Sequence, residues 1–312
     1  MQRILVLGGI GAALTLGGAS ATQSARPPAL LTYSVETSGG LCLARADGSH
    51  RLRLTRGKDR APSWSPNGRY VVFSRQVGTG SRILVADTGG RIVRALTQAG
   101  AFADPAWSAD GKQIAYVSRE QRSRIVIVGN TGRAVGQLLA APTTFVSRPS
   151  WAPSGRRIAY TEDPQTEAES GGTSRIVVVN ADGTGRHVLV AQASDQAWSP
   201  NGSKIAYVAY PSRLSDTGSI VVANADGSGA HRLTRASASE ARPAWSPSGQ
   251  RIAFTRVAGG KSTIVVASAD GSSERVAVGV RGSGGVDPTW RPSVLLPKAR
   301  RRACSSGAGV SR

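Results

Sequence analysis

The stretch PSWSPNG, residues 62–68, places a tryptophan directly before a serine, a proline and a glycine-ended turn. Close variants return as PAWSADG at 105–111, PSWAPSG at 149–155, QAWSPNG at 196–202, PAWSPSG at 243–249 and PTWRPSV at 288–294. All six tryptophans of the 312-residue chain, Trp64, Trp107, Trp151, Trp198, Trp245 and Trp290, lie in these stretches at intervals of 43, 44, 47, 47 and 45 residues, so the chain carries one Trp per repeat.

Each of the first five stretches leads into a β-rich run, such as residues 70–73 (Tyr-Val-Val-Phe) or 205–208 (Ile-Ala-Tyr-Val). A second run follows, as at 125–128 and 176–179. Then come an Asp-Gly turn, such as Asp182-Gly183 or Asp226-Gly227, and a last short segment typified by Arg232-Leu233-Thr234. Four short strands in about 45 residues have the period and content of a propeller blade. The abundance of turns agrees: Gly supplies 38 of 312 residues, against a usual share of about 7%.

The opening heptapeptide then has a physical reading. Proline cannot donate to a sheet ladder, so a strand with Pro two residues before its Trp (Pro62, Pro105, Pro149, Pro243 and Pro288, with Gln196 the exception) must be an edge strand. In a propeller the innermost strand of each blade is such an edge. The following Ser-Pro-Asn-Gly suits a tight turn into the next strand. The indole is predicted to fill the wide space between blades and to bury on the order of 200 Å².

Trp290 breaks the pattern, because no turn glycine, β-run or Leu-Thr follows it. The missing strands stand at the other end of the chain: residues 31–35, 41–44 and 52–55, with Asp47-Gly48 as the turn. The expected fold is therefore all-β, a six-bladed β-propeller over residues 31–293, closed by N-terminal strands pairing with the C-terminal strand so that no sheet edge is left free.

Outside the repeats, residues 1–21 combine a positive start, a short apolar Gly-rich run and the small-x-small sequence Ala19-Ser20-Ala21. That is the form of a signal peptide and predicts export, with 22–30 as a short linker. No later segment is apolar for the roughly 20 residues a membrane span needs. Residues 294–312 form a basic, Ser/Gly-rich tail predicted to be disordered. The chain has 39 basic and 19 acidic residues, which favours anionic neighbours. The arginines are scattered through every repeat without stacking aromatics, so the sequence argues against nucleic-acid binding. Lys298, Arg300, Arg301 and Arg302 in the tail are the candidates for contact with an anionic envelope surface.

Pro-x-Trp-Ser-Pro-x-Gly, then Ile-Ala-Tyr/Phe, Ile-Val-Val, Asp-Gly and Arg-Leu-Thr, resembles the repeats of TolB-type six-bladed β-propellers. TolB proteins carry an α/β domain before the propeller. Here about ten residues separate the predicted cleavage site from the first strand, so the resemblance is to the propeller alone. It implies a fold that serves as a binding platform, as an appendage of peptidases or, in some cases, as an enzyme.

Catalytic signals are sparse. Gly-x-Ser-x-Gly is absent. His50, His187 and His231 fall at equivalent places in different blades, spread around the rim, so neither a metal site nor any other cofactor is expected. The Asp-Gly pairs read as turn chemistry rather than calcium ligands. Cys42 and Cys304 both belong to the closing blade, and export would favour a disulfide between them; Cys42 also aligns with Leu84, Val126, Val177, Val221 and Val265, which reads as a buried apolar filler.

The best candidate site comes from the residue three before each Trp: Ala61, Asp104, Arg148, Asp195, Arg242 and Asp287. Five are charged and their signs alternate. They are expected to circle one mouth of the channel, either as ion pairs that fix neighbouring blades or as a recognition ring for a polar group such as a peptide terminus. Two longer connections, 161–172 with four acids and 209–218, are expected to open on the same face. The expected function is a noncatalytic scaffold binding a protein or peptide at this mouth. The alternative is a hydrolase or lyase acting on a cell-envelope polymer through Asp104, Asp195 and Asp287, a role to which neighbouring arginines suit them poorly by lowering their pKa values.

Overall fold

A computed structural model describes residues 30–35, 39–139, 144–164, 173–212, 215, 217–234, 238–280 and 286–292. The predicted signal peptide and most of its linker, the basic tail and parts of the two long connections lie outside these residues. Among those described, the chain forms six antiparallel four-stranded sheets, the six blades expected.

Five blades are built from consecutive strands. The sixth has the order Thr289–Arg291, Leu30–Ser34, Leu41–Arg45, Leu52–Arg53, with Trp290 opposite Leu31 and Thr289 opposite Thr32. The ring is therefore sealed by joining the two ends of the repeat region. Strands carrying the Trp motif, Asp59–Trp64, Phe102–Trp107, Thr144–Trp151, Ala193–Trp198, Ser239–Trp245 and Thr289–Arg291, are the inner edges of their sheets, as the prolines require.

The six indoles are only 5–9% exposed. Each belongs to a buried cluster that bridges its own blade and the preceding one: Trp64 with Leu41, Leu43 and Leu54 of the closing blade, Trp198 with Ile176 and Val178, Trp290 with Ala253, Ile264 and Val266. The indole N–H extends the bridge where it donates to the preceding blade, from Trp245 to the Ala197 carbonyl at 3.1 Å and from Trp290 to the Ala244 carbonyl at 3.0 Å. The serine of the motif fixes the turn beyond it: the Ser65 hydroxyl accepts the Tyr70 N–H at 2.9 Å, and the Gly68 N–H returns to the Ser65 carbonyl at 2.8 Å. Gly68 has φ +61°, the left-handed conformation that glycine adopts without a steric penalty.

The repeated Leu-Thr has its own task. Thr55, Thr97 and Thr234 accept a third-strand N–H of their blade, from Leu41 at 2.9 Å and from Ile83 and Ile220 at 3.0 Å. Thr55 and Thr234 also donate to Asp59 and Glu240 at the start of the next inner strand, and those acids pair with Arg75 and Arg256 at 2.6 Å. Blade-to-blade connections are thus stapled through buried carboxylates.

The Asp-Gly carboxylates accept N–H groups of their own turns, Asp182 from Thr184 and Asp226 from Ser228, which is turn chemistry as expected. Cys42 is fully buried and disulfide-bonded; the other cysteine, Cys304, lies outside the described residues. One expectation is corrected: Thr161, Glu162 and Asp163 belong to the strand Arg157–Pro164 rather than to a loop. Glu162 is completely buried against Arg175 and Arg186 at 2.9 and 2.6 Å, because strand pairing with Val146 and Arg175 carries it inward.

If the indoles hold the blades together, Trp151→Ala should lower the unfolding free energy by about 3–5 kcal/mol, the cost of a large core truncation. Chemical denaturation followed by circular dichroism measures it, and a loss below about 1 kcal/mol would contradict the bridging role.

Candidate functional site at the channel mouth

Each of the five complete inner strands carries a register irregularity at the same place, between Arg60 and Ser63, Ala103 and Ala106, Ser147 and Ser150, Ser194 and Ala197, and Ala241 and Ala244. The first residue of every irregularity is left-handed: Ala61 φ +49°, Asp104 +49°, Arg148 +52°, Asp195 +56° and Arg242 +60°. Such backbone is costly for a residue with a Cβ, of the order of 1 kcal/mol or more. The bulge turns these side chains toward the axis, and in four of the five the following proline has no N–H for the broken ladder to leave unpaired, Asp195 being followed by Gln196. All five, with Asp287, line one cavity of about 310 Å³. The residues three before each Trp therefore do converge.

Two kinds of contact order this ring. In the first, each carboxylate reaches the backbone of the next blade: Asp104 accepts the Arg148 N–H at 3.2 Å, Asp195 the Arg242 N–H at 3.0 Å and Asp287 the Ala61 N–H at 2.9 Å. In the second, each guanidinium reaches the acid beyond it. Arg148 Nε lies 2.5 Å from Asp195, Arg242 is ion-paired to Asp287, and Arg148 Nη1 lies 3.7 Å from Asp287. Burial raises the Asp287 carboxyl, yet Arg242 and Arg148, with the Ala61 N–H and Ser34 hydroxyl, hold it below the ordinary carboxylate range. Burial likewise opposes the charge on Arg148, and Asp195, Asp104 and Asp287 outweigh it, keeping the guanidinium pKa above its ordinary value.

Gln196, the exception to the Pro rule, joins two blades. Its amide donates to the Ala159 carbonyl at 3.2 Å, and its side-chain oxygen accepts from Thr161 at 2.9 Å.

Near Arg148 and Asp195 sits a polar group that the ring pattern does not contain. The Tyr210 and Ser194 hydroxyls are 3.0 Å apart, and Ser174 donates to Asp163 at 2.5 Å. Burial pushes the Asp163 carboxyl above its ordinary pKa; the Ser174 hydrogen bond opposes this, Asp195 adds to it, and Arg119 and Arg148 oppose it. The signal for Asp163 and Tyr210 was their place in the two long connections; Ser174 and Ser194 lie outside both. No group of three or more His, Cys, Asp or Glu among the described residues could hold a metal ion, and His50, His187 and His231 are exposed on separate blades.

Residues 30–202 match the family model described as the TolB beta propeller domain. The chain belongs to the TolB beta-propeller family. Among solved structures it is similar to TolB from Acinetobacter baumannii, with a TM-score of 0.71 at 19% identity over 84% of this chain and 66% of that one. It thus spans just under two thirds of that protein's length. A TolB candidate from Agrobacterium tumefaciens gives 0.62 at 17% identity over 84% of this chain and 97% of that one. A puromycin-hydrolyzing peptidase of Mycobacterium tuberculosis gives 0.57 at 15% identity, with 81% of this chain covering 42% of the peptidase. Identities this low establish the shared fold and leave function to the site. Among curated proteins, none matches the chain.

A carboxyl whose folded pKa is raised contributes stability that is present below its unfolded pKa and lost as pH rises through the folded value. Ionised Asp163 should therefore cost this TolB-family propeller stability at neutral pH. Asp163→Asn is expected to raise the thermal midpoint at pH 7, with the gain shrinking as pH falls below about 4; a variant less stable than wild type at pH 7 would contradict this.

Proposed function

We propose that this propeller is an exported, noncatalytic scaffold that binds a protein or peptide partner at the ring-bearing mouth of its channel. The observation that carries the reading is the mouth itself: a cavity of about 310 Å³ lined by residues of all six blades, with charges oriented by backbone hydrogen bonds between blades before any partner arrives. Preorganised polar groups on rigid strands lose little freedom on binding. The family supports a binding platform, and the A. baumannii and A. tumefaciens relatives share its fold.

General-acid chemistry is poorly served at Asp287. Asp287 is held in its ionised form by two guanidiniums, whereas a general acid needs a carboxyl raised toward neutral pH. The reading includes export directed by residues 1–21 and a second, weaker contact between Lys298, Arg300, Arg301 and Arg302 and an anionic envelope surface.

The test is to capture partners from envelope extract with the mature chain, with Asp104→Asn and with Arg242→Gln, and to assay the same samples for glycan and peptide turnover. A discrete protein held by wild type, lost at least tenfold with either variant at unchanged folding, and no turnover above blank are expected. Capture indifferent to both variants would overturn the mouth as docking place. Turnover that follows the wild-type chain and falls with Asp104→Asn would establish the enzyme instead.

A further inference from the structure

The ring obeys a rule that it fails to complete. Arg148 has its N–H held by the preceding acid, Asp104, and its guanidinium against the following acid, Asp195. Arg242 repeats this between Asp195 and Asp287. The third equivalent position is Ala61. Its backbone is left-handed like the other two, and its N–H is held by its preceding acid, Asp287, at 2.9 Å. Its following acid is Asp104, but alanine has no charge to place there.

Three carboxylates consequently face two guanidiniums around one cavity. Asp195 and Asp287 each pair with an arginine, whereas Asp104 makes no ion pair within 4.0 Å among the described residues, its hydrogen bond being to the Arg148 N–H. A carboxylate can accept about four hydrogen bonds, and a partly buried one with unused acceptors, which feels Arg148 only at a distance and has no guanidinium in direct contact, favours an arriving cation.

We infer that the mouth takes a cationic group of its peptide partner, an arginine or lysine side chain or a free amine, in the space left by Ala61, where it pairs with Asp104 and completes the alternation. This rests on the scaffold reading in taking the mouth as the docking place and adds the chemical class of what docks. Guanidinium fits best, since its planar fork can reach a carboxylate with two parallel N–H groups. The excess of basic residues elsewhere in the chain opposes the approach of a cation, but at physiological salt that field is screened beyond about 8 Å. Within the ring, the carboxylates decide.

The experiment titrates the mature chain with N-acetyl-arginine amide, N-acetyl-lysine amide and N-acetyl-glutamate amide, read by NMR shift perturbation. Wild type should bind the arginine probe saturably at one site, the lysine probe more weakly and the glutamate probe not at all. Asp104→Asn should weaken the arginine probe at least tenfold. Ala61→Arg, which supplies the cation within the chain on a backbone that Arg148 and Arg242 already tolerate, should abolish binding while keeping or raising the thermal midpoint. If Ala61→Arg fails to fold, Asp104→Asn alone decides. No saturable binding to wild type, or equal affinity in the variants, would overturn the inference. Binding of the glutamate probe instead, or partner capture from extract that depends on Arg242 but survives Ala61→Arg, would remove the cation while leaving the scaffold standing. Capture indifferent to every ring variant, with arginine-probe binding still lost in Ala61→Arg, would remove the scaffold and leave the cation site.

Discussion

A strand left without a partner exposes a row of unpaired N–H and C=O groups, and a ring of six blades closes only if strands from the two ends of the repeat region complete one blade together. Here that constraint falls on Thr289–Arg291, whose pairing with Leu30–Thr32 turns six separate sheets into one closed body. The pairing is short, and side chains reinforce it. Arg291 lies over the Trp64 ring at 4.7 Å and donates to the Gly68 carbonyl at 3.1 and 2.9 Å, so the closing strand is held to the first blade as well as to its own. Trp290 holds it to the blade before.

Closure is what gives the channel a fixed circumference, and a fixed circumference lets five left-handed residues be maintained at once. An arginine at φ +52° or +60° would relax in an open chain; here the N–H of each is taken up by an acid on the neighbouring blade. The same hydrogen bonds that hold the strained backbone also aim the charges. Structural and recognition readings of the ring are therefore not rivals, since the contacts that fix the blades also set the geometry of the cavity on which the proposed recognition rests.

Much of the fold was legible because its determinants are local. Tryptophan spacing, turn glycines and Leu-Thr ends each act within one repeat, and the deviant stretch at Trp290 pointed directly to the N-terminal strands that complete its blade. The ring was legible by position, since three residues before Trp is the same place in every blade. Its wiring was not. Nothing in the sequence marks Arg148 or Arg242 as left-handed, because side-chain preference argues against that conformation and only the inter-blade N–H contacts sustain it. Glu162 was misplaced for a related reason: a run of acids reads as loop, and its true environment depends on Arg175 and Arg186 arriving from later in the chain. Ala61 looked like an interruption of the pattern, and its significance follows from the carboxylate of Asp104 on the next blade, which lacks the guanidinium that Asp195 and Asp287 each have.

Native-state hydrogen exchange tests the closed ring most directly. The account predicts that the hydrogen-bonded amides of Leu30–Thr32 and Thr289–Arg291 exchange only through global unfolding, with the same free energy as amides in the blade built around Trp151. Exchange of the closing-strand amides through a separate opening, at a free energy several kcal/mol below the global value, would show that the ring is not sealed and that its mouth has no fixed geometry.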